Sequence, residues 1–92
     1  MSKYIEQTFF VGNLHFDAKD SDLTEAFRSH GYKVGTTKVA RDKASDRSMG
    51  FGFVTVLCDD EDALLSEMYG VEVLGRPIRV QISTSMRPDN KN

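Results

Sequence analysis

Few side chains in this sequence could carry bond-making chemistry, and their spacing does not favour it. His15 and His30 have no companion at metal-ligand spacing, and Cys58 is the single cysteine. The acidic run from Asp59 to Asp62 directs its carboxylates to different sides of a helical turn, so it is interpreted as the solvated start of a helix. The sequence therefore predicts no metal site, no cofactor and no enzymatic activity.

The stretch "SMGFGFVTV", residues 48–56, offers contact chemistry instead. If it is a strand, Phe51 and Phe53 lie on one face and Val54 and Val56 on the other. Both faces are apolar, although a small domain can usually bury only one of them. Monomeric proteins rarely leave a patch of phenylalanines in water without a use for it. This pattern indicates a binding surface.

The remaining elements must position these rings, and their order can be predicted from hydrophobic periodicity and turn residues. A strand is expected in "TFFVGNL", a helix starting between Lys19 and Ser21 and closed by Gly31, and a strand in "VGTTKVAR". After the 48–56 strand, a helix from an N-cap at Asp59 to Gly70, a hairpin turning at Gly75 and a last strand in "IRVQIS" are expected. The order is βαββαβ, which is the split βαβ arrangement.

Element dimensions leave one side of the predicted sheet uncovered. Four strands span roughly 19 Å, and two helices of about 10 Å each cover one such face and no more. Phe9, Val11, Val54 and Val56 supply the apolar set for the covered face. By the strand period of two, the open face then carries a second set: Phe10, Lys38, Phe51, Phe53, Thr55, Arg79, Gln81 and Ser83.

At this point the chain resembles the RNA-recognition motif family over nearly its whole length. "MGFGFVTV", residues 49–56, is similar to the family's eight-residue ribonucleoprotein pattern, and "FFVGNL", residues 9–14, is similar to its six-residue partner. "GRPIRV" before the last strand is also typical. The resemblance implies an α+β, ferredoxin-like βαββαβ sandwich. Its four-stranded antiparallel sheet has the order 4-1-3-2, with both helices on one face.

The same resemblance implies single-stranded RNA binding on the open face, without catalysis. Phe10 and Phe53 are expected to stack on successive bases and Phe51 to lie against the sugars, because unpaired bases offer an accessible π-face. Gly50 and Gly52 are expected to let the strand approach the RNA closely. The expected RNA-binding residues are Phe10, Asn13, Lys38, Arg47, Met49, Phe51, Phe53, Arg79, Gln81 and Ser83.

Two positions depart from the family pattern. Met49 stands where the pattern has a basic residue, so a phosphate contact is lost unless Arg47 reaches across from the loop. Val56 replaces an aromatic residue, but on the covered face a smaller apolar side chain can be accommodated. The first departure is expected to weaken binding, and the second to matter little.

Three other functions occur on this topology. An acylphosphatase-like enzyme needs an arginine in the loop after the first strand, and "GNLHFDAKD" contains none. A metal carrier needs paired cysteines. The main alternative is a relative that binds protein through the same platform. Such relatives often lose the platform aromatics, which this chain keeps, so RNA is favoured.

Composition completes these expectations. Ninety-two residues with a net charge of −2 allow one domain. Acids concentrate in the predicted helices and cations around the predicted strands, which leaves the acidic helical face as a second surface for protein partners. The expected division is an arm over 1–6, the domain over 7–84 and a polar tail over 85–92. A monomer inside the cell is expected, and the sequence does not distinguish nucleus from cytoplasm. No membrane contact is expected. The expected role is mRNA processing or post-transcriptional regulation, with an affinity of micromolar order or weaker.

Overall fold

A computed structural model describes residues 5–83 of the chain. The elements follow one another in the predicted order, with a small hairpin before the last strand. They are β1 (Ile5–Gly12), α1 (Asp20–Arg28), β2 (Lys33–Arg41), β3 (Ser48–Cys58), α2 (Glu61–Met68), β4 (Glu72–Val73), β5 (Arg76–Pro77) and β6 (Arg79–Ile82).

Four of these strands form one antiparallel sheet in the order β2-β3-β1-β6. Counted along the chain as sheet strands one to four, this is the predicted order 4-1-3-2, and the predicted fold class is confirmed. The short strands β4 and β5 pair with each other as a separate hairpin. Its turn lies at Leu74 and Gly75, as the sequence predicts.

The first strand begins earlier than the sequence suggests. Ile5 and Glu6 belong to β1, where they pair with Cys58 and Leu57. The reason is the length of β3, whose eleven residues continue past the predicted end at Val56 and give β1 a longer partner. The predicted arm, 1–6, therefore overlaps the sheet. Residues 1–4 and 84–92, which include the predicted tail, lie outside the described residues.

Both helices start with a side chain that accepts a backbone hydrogen bond. Asp22 Oδ2 accepts from the Lys19 amide at 2.8 Å at the start of α1. In α2, Asp60 Oδ1 accepts from the Ala63 amide at 3.2 Å, so Asp60 is the N-cap. The predicted N-cap, Asp59, is wrong by one residue. The cause is the run of similar acids, in which backbone geometry and not residue type selects the cap.

The core lies between the helices and one face of the sheet. Leu23 and Phe27 from α1 and Leu64 and Met68 from α2 are fully buried against it. The sheet contributes the set that the sequence assigns to the covered face, Phe9, Val11, Val54 and Val56, together with Val39. Cys58 is buried, and its burial raises the pKa of the thiol.

Helix length and apolarity also bear on membrane insertion. Within residues 5–83, no helix is long and apolar enough to cross a bilayer.

Candidate nucleic-acid interface

The face of the sheet opposite the helices carries three phenylalanine rings in mutual contact. Phe10 comes from β1, and Phe51 and Phe53 come from β3. The Phe10 ring centroid lies 5.6 Å from that of Phe51, with an interplanar angle of 28°, and 5.7 Å from that of Phe53. Phe51 and Phe53 meet edge to face at 6.2 Å. We call these three rings the ring platform. Its residues are partly exposed, whereas Phe9 and Val54 behind them are fully buried.

Strand register places polar side chains on both sides of the ring platform. Phe10 pairs with Phe53 and with Gln81, and Phe53 pairs with Lys38. One row across the sheet therefore reads Gln81, Phe10, Phe53, Lys38. Gln81 and Lys38 are exposed, so a ligand lying on the two rings meets an amide on one side and an ammonium group on the other.

The neighbouring rows add further hydrogen-bonding groups. Arg79, which is exposed, pairs with Gly12 next to the platform. On the other side, Thr8 pairs with Thr55, and their hydroxyl oxygens lie 3.3 Å apart. The platform thus lies between a guanidinium group and a pair of hydroxyl groups.

Glycines around the platform serve the packing of the protein itself. A Cβ on Gly12 would lie 3.1 Å from Cε2 of Phe10, so the Phe10 ring rests over Gly12. A Cβ on Gly52 would lie 2.6 Å from the backbone oxygen of Lys38, because β2 approaches closely there. Gly52 is buried on the helix side of β3, next to Val39 in register. The expectation that Gly52 lets RNA approach is therefore wrong.

Two predicted residues lie at the loop end of β3. Met49 is 55% exposed and lies two residues before Phe51, where the register between β2 and β3 is irregular. Arg47 is exposed at the end of the β2–β3 turn, where its carbonyl oxygen accepts from the Asp42 amide at 2.8 Å. Arg47 lines a groove with His15, Phe16 and Ser48. The structure thus places Arg47 towards the β1–α1 loop.

Asn13 is hydrogen-bonded within the protein, and Ser83 is buried. The sequence indicates neither. Asn13 Nδ2 donates to the Pro77 carbonyl oxygen at 2.6 Å, which ties the end of β1 to the hairpin. Ser83 donates its amide to the Thr8 carbonyl oxygen at 3.0 Å, but the residue is only 5% exposed. Its hydroxyl has no hydrogen-bond partner among residues 5–83. The expectation that Ser83 lies accessible on the open face is therefore wrong.

Sequence reasoning missed one exposed aromatic residue near this surface. Phe16, in the β1–α1 loop, is 66% exposed and is the most exposed of the six phenylalanines. Periodicity cannot find it because it lies outside helices and strands. The available signal is an aromatic residue that stands between two polar residues, His15 and Asp17, in a loop.

Between residues 5 and 83, no group of three or more His, Cys, Asp or Glu side chains is placed to hold a metal ion.

Comparison with protein families connects this surface to known proteins. The family model described as RNA recognition motif matches residues 9–79. The glycine-rich RNA-binding protein 4, mitochondrial, of Arabidopsis thaliana is 41% identical over 83 residues, covering 89% of this chain and 60% of that protein. The chloroplastic RNA-binding protein CP29B of the same plant is 43% identical over 72 residues, covering 77% of this chain and 25% of that protein. The chain thus spans less than two thirds of the length of these relatives.

Solved structures give the same picture. The first two RRM domains of the yeast poly(U) binding protein Pub1 match with a TM-score of 0.74 and 29% identity, over 85% of this chain and 47% of that one. The RNA binding protein PG1 matches with a TM-score of 0.73 and 31% identity, over 90% of this chain and 99% of that one.

Proposed function

Because the chain belongs to the RNA recognition motif family, we propose that it binds short single-stranded RNA on the ring platform, without catalysis. The observation that carries this proposal is the set of three phenylalanine rings in mutual contact on the sheet face opposite the helices. A protein gains little by leaving such rings partly in water unless a ligand covers them.

The proposed mechanism uses the rings for affinity and the flanking groups for orientation. Bases of an unpaired strand stack on Phe10 and Phe53, while Phe51 supports the sugar between them. Double-stranded RNA cannot stack on Phe10 and Phe53, because its bases are already stacked and paired. The site therefore selects single strands by the geometry of stacking.

Flanking polar side chains are proposed to contact base edges and phosphates. Gln81 can donate and accept from one amide, and Arg79 can donate from its guanidinium; both are exposed on β6 beside the rings. Lys38, which pairs with Phe53 in register, is proposed to contact a phosphate. Asn13 already donates to Pro77, so its proposed contribution is to hold the β1 end in place.

We expect a modest affinity, of micromolar order or weaker, because bases stack on only two rings, Phe10 and Phe53, and the net charge is −2. Such a domain gains useful affinity when linked to a second binding unit. The proposal therefore extends to action beside other domains or partners, inside the cell, in mRNA processing or post-transcriptional regulation.

The test compares tetranucleotides of each of the four bases for binding to the wild type and to Phe53→Ala, by fluorescence anisotropy. Removal of one stacking ring costs about 1–3 kcal/mol per base, so affinity is expected to fall at least fivefold. Tyr69→Ala is the matched control, because Tyr69 is an exposed aromatic residue at the end of α2. Equal affinity of the wild type and Phe53→Ala would contradict the proposal. Absence of RNA binding by the wild type would instead favour the protein-binding alternative.

A further inference from the structure

The two-residue turn of the β4–β5 hairpin holds a leucine in a strained conformation. Leu74 and Gly75 have φ angles of 54° and 79°, the pattern of a type I′ turn, which favours asparagine, aspartate or glycine at its first central position. A bulky side chain is strained at such a positive φ. Packing does not offset this strain, because Leu74 is 51% exposed. A polar residue would therefore suit the fold better at this position.

A second exposed apolar residue lies five positions earlier in the chain. Tyr69, the C-cap of α2, is 89% exposed, more than any other large apolar side chain among residues 5–83. Its backbone is held in place, because the Tyr69 amide donates to the Ser66 carbonyl oxygen at 3.3 Å and the Val71 amide donates to the Met68 carbonyl oxygen at 3.2 Å. Five residues of chain span at most about 18 Å. Tyr69 and Leu74 are therefore close enough for one ligand to contact both.

Charge of a single sign surrounds these two side chains. Residues 59–75 contain no lysine, arginine or histidine, but they contain six acids: Asp59, Asp60, Glu61, Asp62, Glu67 and Glu72. All of these except Glu61 are exposed. Asp62 and Tyr69 lie seven residues apart, close to two helical turns, so they share one side of α2. The next cation along the chain is Arg76, which pairs with Val73 in the hairpin. The exposed apolar side chains thus lie among carboxylates.

The sign of this charge decides which partner fits. RNA phosphates and an anionic membrane surface are repelled by carboxylates. A second copy of the chain, bound in a two-fold symmetric dimer, would bring the same carboxylates together across the interface. A protein segment that carries lysine or arginine together with apolar side chains fits, because it pairs with the carboxylates and covers Tyr69 and Leu74 at the same time.

We propose that Tyr69 and Leu74, with the carboxylates of Glu67 and Glu72, form a docking surface for a basic, partly apolar segment of a partner protein. Apolar side chains of the partner cover Leu74, and a lysine or arginine lies over the Tyr69 ring as a cation–π contact. Further cations pair with Glu67 and Glu72. Because α2 packs on the sheet face opposite the ring platform, this inference goes beyond the proposed function: a partner bound there leaves the ring platform open to RNA.

The experiment measures peptide binding in the absence of RNA. The probe is a fluorescein-labelled peptide of about 14 residues, built from leucine and lysine with the leucines at helical spacing, and anisotropy reports its binding. Leu74→Asn is the decisive variant, because its two expected effects have opposite signs. The urea midpoint should rise, since asparagine suits the turn. Peptide affinity should fall about fivefold or more, since an apolar contact is lost.

Further variants and a second peptide define the chemistry of the docking surface. Tyr69→Ala should weaken peptide binding and leave the affinity for a tetranucleotide unchanged. Glu67→Gln should weaken peptide binding by about twofold, as expected for one exposed ion pair. Phe16→Ser is the matched control, because it removes an exposed ring from a different loop, and it should bind the peptide like the wild type. A peptide with glutamate in place of lysine should bind the wild type at least about tenfold more weakly.

Four outcomes would overturn the inference. Leu74→Asn could bind the peptide as tightly as the wild type, or it could lower the urea midpoint, which would mean that Leu74 serves the fold. Phe16→Ser could lose as much affinity as Leu74→Asn, which would show unspecific apolar binding. Sedimentation could show wild-type dimers that Leu74→Asn dissociates, so that the occupant is a second copy. None of these measurements uses RNA, so the inference and the proposed function fail independently.

Discussion

At the scale of single residues, the position of the Phe10 ring depends on a neighbour without a side chain. The ring lies over Gly12, where a Cβ would be 3.1 Å from Cε2 and 3.5 Å from Cζ. The 3.1 Å contact requires the ring to move by a few tenths of an ångström. Because Phe10 is only partly buried, its ring can make this movement without disturbing the core.

We expect Gly12→Ala to weaken RNA binding without destabilising the fold. Alanine displaces the Phe10 ring from its stacking position, so affinity for a tetranucleotide should fall by a few fold. The free energy of unfolding should stay constant or rise by up to about 1 kcal/mol, because glycine in a strand loses more chain entropy than alanine. Urea unfolding and anisotropy titration measure the two effects separately.

The Phe10→Ala background supplies the control for this substitution. There, Gly12→Ala has no ring to displace and should leave the remaining affinity unchanged, which a double-mutant cycle detects. Equal losses in both backgrounds would mean that Gly12 acts on RNA directly, against the packing explanation.

At the scale of elements, the start of α2 depends on one carboxylate in a run of four acids. Asp60 Oδ1 accepts from the Ala63 amide, and the helix that follows has eight residues. We expect Asp60→Ala to lower the free energy of unfolding by about 1 kcal/mol, the usual cost of losing an N-cap. Thermal or urea unfolding of the purified variants provides the measurement.

Asp59→Ala is the matched control for the cap. It removes the same charge one residue earlier, so both variants change the helix dipole interaction by a similar, smaller amount. The difference between the two unfolding free energies isolates the hydrogen bond. If Asp59→Ala were the more destabilising variant, the N-cap would be Asp59, as the sequence predicts, and not Asp60.

Much of the fold could be predicted from sequence because alternation and helical spacing are strong signals. Val54 and Val56 alternate with Phe51 and Phe53, and the structure buries the valines and leaves the phenylalanines partly exposed. The bulge in β2 between Val34 and Thr36 could not be predicted from the sequence, since bulges follow from how two strands twist together. The early start of β1 was missed for a similar reason, because it depends on how far β3 extends.

The candidate site was predictable where it follows strand alternation, and less so elsewhere. Lys38 and Gln81 lie beside the rings because period two puts them there. Gly52 lies in β3 beside Phe53, and Ser83 directly follows β6, but tertiary contacts decide their surroundings: the Lys38 backbone approaches Gly52, and Ser83 is buried. Phe16 lies in a loop, where no period applies. Strand alternation thus predicts which face of the sheet a side chain lies on. Close contacts between strands, and the position of a loop residue such as Phe16, can be known only from the structure.

At the scale of the whole molecule, charge is divided between the two faces. The first turns of α1 and α2 carry Asp20, Asp22, Glu61 and Asp62 on the helical side. The cations nearest the proposed RNA path are Lys38, Arg47 and Arg79, all exposed. The net charge of −2 therefore does not prevent RNA binding, but it leaves only a few phosphates that can be neutralised.

A shallow salt dependence is the resulting prediction. Each neutralised phosphate of a single strand contributes about −0.7 to the slope of log affinity against log salt, so three cations give a slope of about −2 at most. Lys38→Gln should make the slope less negative by about 0.7. Anisotropy titrations of one oligonucleotide at several salt concentrations yield both slopes.

Lys33→Gln is the control for Lys38, because it removes the same charge from the same strand at a greater distance. Lys33 pairs with Leu57, whereas Lys38 pairs with Phe53. Four residues of strand separate the two partners by about 13 Å, beyond the Debye length of about 8–10 Å in physiological salt. Lys33→Gln should therefore leave the slope close to that of the wild type. If both variants changed the slope equally, the RNA would respond to total charge, and a defined phosphate contact at Lys38 would be ruled out.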